Sequence, residues 1–142
     1  MAAAAARGGG ASARLIGAEA VAPEHFIAAR GYLFVGPENL GTLSGTMKEM
    51  FDRCYYPLLG LIEGRAYATI VAAGSAGQGA EAQIDRIVTG WRLRRVAEGL
   101  IVNTQAQTPQ EILAPKHIES QVIAQCALIG AALVEGLEAG MF

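Results

Sequence analysis

The chain has 142 residues, a length that one hydrophobic core commonly serves, so a single domain over 1–142 is expected. Its 11 basic and 13 acidic side chains leave a net charge of −2, which gives no general attraction to nucleic acids or anionic membranes. Hydrophobic residues make up 52% and charged residues 17%, a composition that supports a packed core and excludes a disordered chain.

The cysteines and histidines are too few and too far apart for a metal site or a disulfide framework. We expect Cys54 and Cys126 to be reduced, buried thiols of a cytoplasmic protein. His25 and His117 share no ligand spacing, so no metal is predicted. The apolar run over 122–134 is too short to span a membrane. The N-terminus lacks the features of a secretory signal, although its Ala- and Arg-rich start leaves a transit peptide open.

The first part of the chain is predicted to alternate helix and strand. An Ala-rich helix over 1–7 ends at three consecutive glycines, and a short strand follows over 13–17. A helical turn begins at Pro23 because proline suits the first helical position. The continuous apolar run over 31–35 is typical of a strand buried on both faces.

A loop over 36–44 leads into an amphipathic helix that Ser44 is suited to cap. The apolar side chains of this helix recur at helical spacing and are interpreted as core: Met47, Met50, Phe51 and Cys54. The helix is expected to end before Pro57 and Gly60, since proline disfavours helix in the residue before it.

The second half continues the alternation, with strands over 66–73 and 96–102 and a last helix over 119–138. A glycine-rich turn over 74–79 precedes a helix with one apolar face: Ala80, Ile84, Ile87, Val88 and Trp91. The later strand is interrupted at Glu98 and Gly99, and a polar loop follows over 103–109. With the strands at 13–17 and 31–35, the sequence predicts a sheet of four parallel strands in an α/β fold.

Ligands of parallel α/β sheets bind beyond the carboxyl ends of the strands, where the loops 36–44, 74–79 and 103–109 are expected. The three glycines of 74–79 would let backbone N–H groups face an anion or a flat polar ring. Their spacing is not the dinucleotide-binding fingerprint, so a plain tight turn is the alternative interpretation.

The run from Gly36 to Arg53 resembles the flavodoxin-like family of NAD(P)H-dependent FMN reductases and quinone reductases. In that family a Pro-x-x-x-Gly-x-x-(Ser/Pro)-Gly-x-(Met/Leu)-Lys pattern follows the third strand, and here it is matched by Pro37, Gly41, Ser44, Gly45, Met47 and Lys48. The resemblance covers about 13–142, with the 74–79 loop as supporting evidence. It implies a flavodoxin-like three-layer α/β/α sandwich around a parallel sheet.

The resemblance also implies two groups of FMN contacts. The residues that would flank the isoalloxazine ring are Pro37, Glu38, Asn39, Leu40, Gly41 and Thr42. Those that would contact its polar edge are Gly74, Ser75, Gly77 and Gln78. Solvent-facing loop positions are the alternative for Glu38 and Asn39. No catalytic side chain is identified, because the flavin itself carries the hydride chemistry.

The N-terminus departs from the family pattern. Family members begin with a strand and a Ser/Thr-rich turn that holds the FMN phosphate, and neither precedes the Ala-rich run over 2–6. Residues 1–12 are therefore interpreted as a remnant of the first helix and a linker, which makes the chain N-terminally truncated relative to the family. Two explanations stay open: a truncated product or wrong start site, or a real short form with weakened or lost FMN binding.

The leading prediction is a cytoplasmic, homo-oligomeric FMN-dependent oxidoreductase. It would use NAD(P)H as co-substrate and a quinone or flavin as electron acceptor, without nucleic-acid or membrane partners. The alternative is a non-catalytic or flavin-deficient flavodoxin-like domain that acts in assembly or has no activity. An electron-transfer flavodoxin is less favoured because such proteins are usually strongly acidic.

Two other sites are considered on the residues alone. Ser75 lies one residue away from the Gly-x-Ser-x-Gly pattern of a hydrolase nucleophile, and few His or Asp residues could complete a triad. The basic cluster over 91–95 is interpreted as a solvated helix end, with a site for a nicotinamide 2′-phosphate as the alternative.

Overall fold

The computed structural model describes all 142 residues. Its helices are α1 (Ala2–Gly8), α2 (Pro23–Ala28), α3 (Gly45–Tyr55), α4 (Gln78–Gly90), α5 (Pro109–Leu113) and α6 (Ser120–Glu138). Its strands are β1 (Gly31–Asn39), β2 (Thr42–Leu43), β3 (Ala66–Ala73), β4 (Arg94–Arg95) and β5 (Leu100–Asn103). Three short 3-10 turns cover Gly10–Ser12, Ala18–Ala20 and Tyr56–Leu58.

The sheet is built around β3, which is buried along almost its whole length. β1 pairs parallel with β3 on one side, with Gly31–Pro37 opposite Ala66–Ala72. On the other side β4 and β5 both pair parallel with β3. β2 is antiparallel to the end of β1 and forms a hairpin with it. The α/β fold with a mostly parallel sheet is therefore confirmed.

Three predicted segments differ from the structure. The predicted strand over 13–17 is wrong, since these residues belong to no sheet although the backbone of Ala13 is extended. A strand needs a hydrogen-bonding partner, and none runs beside this segment. The predicted loop 36–44 is a hairpin in its central part, because β1 continues to Asn39. The predicted strand 96–102 is split, with residues 96–99 outside the ladder between β4 and β5.

Each face of the sheet has its own core. On one face α3 and α4 bury their predicted apolar stripes around aromatic side chains that include Phe34, Phe51 and Trp91. The Trp91 ring is 1% exposed, and its Nε1–H donates to the Tyr55 carbonyl at 2.9 Å. On the other face α1 and α6 pack small side chains against Ile70 and Val102. These helices complete the three layers.

Contact between α1 and α6 depends on glycine. A Cβ added to Gly8 would lie 1.8 Å from the Ala127 carbonyl oxygen, and one added to Gly130 would lie 1.9 Å from that of Ala5. The two helix backbones therefore approach closely, as small residues permit. By length and composition alone α6 would also suffice to cross a membrane, but a helix packed in a protein core can meet the same two criteria.

The two cysteines are free and buried, as predicted. Burial is the main cause that raises the pKa of both thiols, Cys54 and Cys126. Neither thiol is therefore activated as a nucleophile.

The basic cluster over 91–95 is a solvated helix end only in part, because Arg92 and Arg94 are exposed whereas Arg95 is engaged within the fold. Arg94 and Arg95 form β4, and the Arg95 guanidinium contacts Asp85, donates to Thr69 Oγ1 at 3.1 Å and lies 5.2 Å from the centre of the Tyr67 ring. Burial, with a further contribution from Asp85, raises the pKa of Tyr67. Because Arg95 also pairs with Glu81 at 3.3 Å, its charge is already matched within the fold.

Candidate functional site

The loops at the carboxyl ends of β1 and β3 meet at one edge of the sheet. The turn of the β1–β2 hairpin lies directly on the first turn of α4, since a Cβ added to Gly79 would be 2.0 Å from the Gly41 carbonyl oxygen. The Leu43 N–H also donates to Gln83 Oε1 of α4 at 2.9 Å. The two groups of predicted flavin contacts are therefore neighbours in space.

Glu38 joins these two groups through its carboxylate. Oε1 accepts a hydrogen bond from the Gly77 N–H at 2.9 Å, and Oε2 accepts one from the Ala80 N–H at 3.0 Å. The first N–H groups of a helix have no partner within the helix, and the helix dipole favours a negative charge there. Glu38 thus caps α4 from the neighbouring strand. The alternative interpretation placed Glu38 and Asn39 at solvent-facing loop positions. Asn39 is indeed exposed, whereas Glu38 is half-buried and accepts these two hydrogen bonds.

The tip of the hairpin presents an apolar side chain to solvent. Leu40 and Gly41 both have positive φ, 53° and 76°, as a tight two-residue hairpin turn requires. Glycine adopts this backbone freely, whereas leucine does so at a cost of about 1 kcal/mol. The Leu40 side chain is fully exposed, and Pro37 of the same hairpin is exposed too. Thr42 Oγ1 donates to the Asn39 carbonyl at 3.2 Å and closes the turn.

The glycine-rich turn carries free backbone donors. The N–H groups of Gly74, Ser75 and Ala76 donate to no atom of the protein, and Ser75 and Ala76 are exposed. Gly77 has a φ of 112°, and a Cβ there would lie 2.4 Å from Ile101 Cγ2, so only glycine fits. Gln78 is exposed at the start of α4. The turn can therefore donate hydrogen bonds to a polar group that lies against it.

The loop after β5 forms the third wall of the site. Thr104 donates from both its N–H and its Oγ1 to the Ala73 carbonyl, at 2.8 and 3.1 Å. The Ala106 carbonyl oxygen faces Gly74, 3.1 Å from the position of an added Cβ. The loop ends at the short helix α5, which begins at Pro109, the last residue of the predicted polar loop.

The start of α5 is expected to respond to acid. The Glu111 carboxylate accepts from the N–H groups of Thr108 and Gln107, and these bonds hold its pKa below the usual value. Because the pKa of Glu111 is lower in the folded state, the ionised carboxylate stabilises the fold at pH values above the ordinary glutamate pKa. This contribution is lost as the pH falls through the lowered pKa. Amide NMR signals of 107–111 should therefore shift together on acidification. Glu111→Gln should abolish this shift of the NMR signals, and an unchanged shift in the variant would contradict its assignment to Glu111.

The structure brings the ten predicted contact residues together at one edge of the sheet. The hydrogen bonds of Glu38 and Gln83 that hold the loops had no sequence signal, because their partners lie 39 or more positions away along the chain. No group of three or more His, Cys, Asp and Glu side chains could hold a metal ion. Two cavities lie beside β1, and neither is lined by residues of the glycine-rich turn.

The sequence of the chain decides the family. The sequence profile of the NADPH-dependent FMN reductases matches residues 20–105, which include every predicted contact residue. The chain belongs to this FMN reductase family. No protein of curated function matches the sequence of this family member.

Solved structures confirm the flavodoxin-like fold of this FMN reductase family member. A flavodoxin from the domain Archaea has a TM-score of 0.74 at 13% identity, with 96% of this chain and 87% of the flavodoxin covered. The flavodiiron core of Synechocystis has a TM-score of 0.69 at 15% identity, and 96% of this chain corresponds to 32% of that protein. General stress protein 14 of Treponema denticola, solved in complex with FMN, has a TM-score of 0.55 at 10% identity, with 81% and 70% covered.

Proposed function

We propose that the chain binds FMN at the edge formed by the β1–β2 hairpin and the 74–77 turn, and that it passes electrons from NAD(P)H to a quinone or flavin. The observation that carries the proposal is the set of free N–H donors at Gly74, Ser75 and Ala76, held beside the hairpin by Glu38. Membership of the FMN reductase family supports the cofactor and the reductant.

The residues present fit the ring of FMN. The isoalloxazine edge carries carbonyl oxygens and a ring nitrogen that accept hydrogen bonds, and the 74–76 turn offers unpaired donors to match them. The hairpin tip supplies an apolar surface at Pro37 and Leu40 against which a flat ring can lie. Bound there, FMN would supply the hydride chemistry, while these residues orient the ring and exclude water from one face of it.

The residues present do not fit the phosphate of FMN at the same place. The N-terminus of α4 would be the natural anion site, but the Glu38 carboxylate already occupies two of its N–H groups. A phosphate there would meet a like charge. We therefore expect the ring, rather than the phosphate, to supply most of the affinity for FMN.

A comparison of FMN with riboflavin tests this proposal directly. Both should bind to the purified protein with affinities that agree within about threefold, because one phosphate contact with a charged group would add about tenfold or more. Flavin fluorescence on titration measures both affinities. Binding of FMN alone would show a phosphate site that this structure does not contain, and would contradict the proposed mode.

Activity is tested with the flavin-loaded protein. Oxidation of NADPH and of NADH should require added FMN and should rise when a soluble quinone is supplied. The proposal extends to a homo-oligomer in the cytoplasm, for which size-exclusion chromatography and cell fractionation are the measurements. A monomeric protein that retains flavin and activity would overturn only the proposed homo-oligomer.

The flavin-deficient alternative rests on the same carboxylate. If Glu38 excludes the phosphate and the ring alone binds too weakly, the domain remains colourless and has no reductase activity. The absorbance spectrum after incubation with FMN and desalting separates the two proposals. Retained flavin bands favour the reductase. A colourless protein that binds neither FMN nor riboflavin favours the non-catalytic domain.

A further inference from the structure

The segment between β5 and α6 is held by the rest of the fold only at its two ends. Ala106 is buried, with its carbonyl oxygen facing Gly74, and Ile118 packs against the core on the α1 and α6 face of the sheet. Between these two anchors every residue of 107–117 is exposed. No hydrogen bond and no ion pair joins 107–117 to another part of the protein. The segment can therefore move about its ends without breaking a hydrogen bond to the rest of the fold.

Within itself the same segment is well bonded. At the start of α5 the Glu111 N–H donates to Thr108 Oγ1 at 3.2 Å, and the Glu111 carboxylate accepts from the Thr108 N–H at 2.9 Å. After the end of α5, Lys116 Nζ donates to the carbonyls of Glu111, Ile112 and Ala114. Both ends of this helix thus have hydrogen-bond partners of their own. A segment that is bonded inside and unbonded outside moves as one body.

This short helix presents two large apolar side chains to solvent. Ile112 is 57% exposed and the adjacent Leu113 is 85% exposed. Removing apolar surface from water is favourable in proportion to the area covered. Any position of the segment that lays α5 on an apolar surface is therefore favoured over its exposed position by the area that these two side chains would bury.

The order of the strands decides what the segment can cover. β3 lies between β1 and β5, so the 74–77 turn lies between the β1–β2 hairpin and the loop after β5. The hairpin carries the exposed Leu40 on one side of this turn, and α5 carries Ile112 and Leu113 on the other side. The chain from Ala106 to Ile112, extended to Pro109 and then helical, spans about 15 Å at most. That length lets α5 reach a flat ring that lies on the turn.

We propose that 107–117 is a lid that closes over the flavin ring and lays Ile112 and Leu113 on the face that the hairpin leaves open, an inference that rests on the proposed flavin site. Leu40 and α5 then hold the flat ring between two apolar surfaces, and water is excluded from both faces of it. The lid has to open before a second planar reactant, the nicotinamide or the electron acceptor, can lie against that face. The segment thus controls access to the site as well as the affinity for the ring.

Lys116 makes closure measurable by limited proteolysis, because no other lysine or arginine follows Arg95 in the sequence. Trypsin should cut the flavin-free protein after Lys116 and yield the fragment 117–142, which mass spectrometry detects. Saturating riboflavin should slow this cut at least about tenfold more than the cut after Arg92. Arg92 is exposed at the opposite end of the sheet, since β4 begins two residues later beside the first residues of β3. The ratio of the two rates separates closure from the general stabilisation that any bound ligand gives.

Amide hydrogen exchange distinguishes the lid from the flavin site on which it rests. Riboflavin should slow exchange at the free N–H groups of 74–76 and, through closure, in 107–117 as well. Slowing at 74–76 alone would overturn the lid and leave the flavin site intact, whereas no effect at either place would overturn both. Slow exchange of 107–117 without flavin that grows with protein concentration would assign the apolar face of α5 to contact between copies, and would overturn the lid.

A double variant, Ile112→Gln with Leu113→Gln, removes the apolar face of α5 and keeps residues that favour helix. It should bind riboflavin about tenfold more weakly and lose the protection of Lys116 from trypsin, with the Tm of the flavin-free protein unchanged. Leu128→Gln is the matched control, because Leu128 is 67% exposed on α6, and it should change neither quantity. A double variant with the riboflavin affinity and the trypsin protection of the unaltered protein would overturn the proposed lid.

Discussion

Glu38→Ala is expected to lower the free energy of unfolding by about 2–3 kcal/mol, since two charge-assisted hydrogen bonds to the start of α4 are lost. The same change should weaken the binding of riboflavin, which has no phosphate that could enter the freed N-terminus of α4, at least about tenfold, because the hairpin and the 74–77 turn are no longer held together. Urea unfolding gives the first quantity and flavin titration the second. Glu38→Gln should lose about half as much stability, since one amide oxygen can still accept one of the two bonds.

The matched control for Glu38 is a glutamate that makes only an ion pair at the surface. Glu63 lies 3.5 Å from Arg92 at the surface, and Glu63→Ala should change the free energy of unfolding by less than about 0.5 kcal/mol and leave flavin affinity unchanged. If Glu38→Ala behaves like Glu63→Ala in both measurements, the carboxylate neither caps α4 nor positions the site.

Gly130→Ala is expected to destabilise the protein by about 3 kcal/mol, which corresponds to a fall of about 10 °C in Tm. The added Cβ would lie 1.9 Å from the Ala5 carbonyl oxygen, and a helix backbone cannot give way as the end of a side chain can. The two helices must separate, so α1 should also become accessible to limited proteolysis. Differential scanning calorimetry and protease digestion measure the two effects.

Gly45→Ala is the same substitution at a position with open space. Gly45 begins α3, and no atom lies within 4 Å of an added Cβ, so stability should be unchanged or rise by up to about 1 kcal/mol. Equal Tm values for the two variants would show that close approach of α1 and α6 contributes nothing to stability.

The helices were predictable because their signals are local. The stripe from Met47 to Cys54 and the stripe from Ala80 to Trp91 repeat at the helical period, and their members are buried as predicted except Ile87, which is half-buried. Ser44 accepts a hydrogen bond from the Met47 N–H at 3.4 Å, which confirms it as the cap of α3. The apolar runs 32–35 and 66–73 likewise contain no charged side chain, and β3 is buried on both faces, whereas in β1 Tyr32 and Phe34 are buried but Leu33 and Val35 are only half-buried.

A strand predicted from local composition was confirmed only where the fold places a partner strand beside it. Residues 13–17 have the composition of a strand, yet they stand apart from β1 with cavities between them. Local sequence puts Arg95 at a solvated helix end, but Asp85, Glu81 and Thr69 gather around it from α4 and β3. Neither outcome can be derived from neighbouring residues, since each depends on groups that are distant in sequence.

By itself the sequence determined the α/β class, the order of most elements and the family, and it predicted the residues of the candidate site. Periodicity, capping residues and a motif within one continuous run carry that information, and all three act over a few residues. Only the tertiary structure decided that Glu38 caps α4, that the 74–76 donors are free and that 107–117 forms no hydrogen bond with the rest of the protein. Those properties depend on which distant backbone groups find partners when the chain packs, and that depends on the fold as a whole.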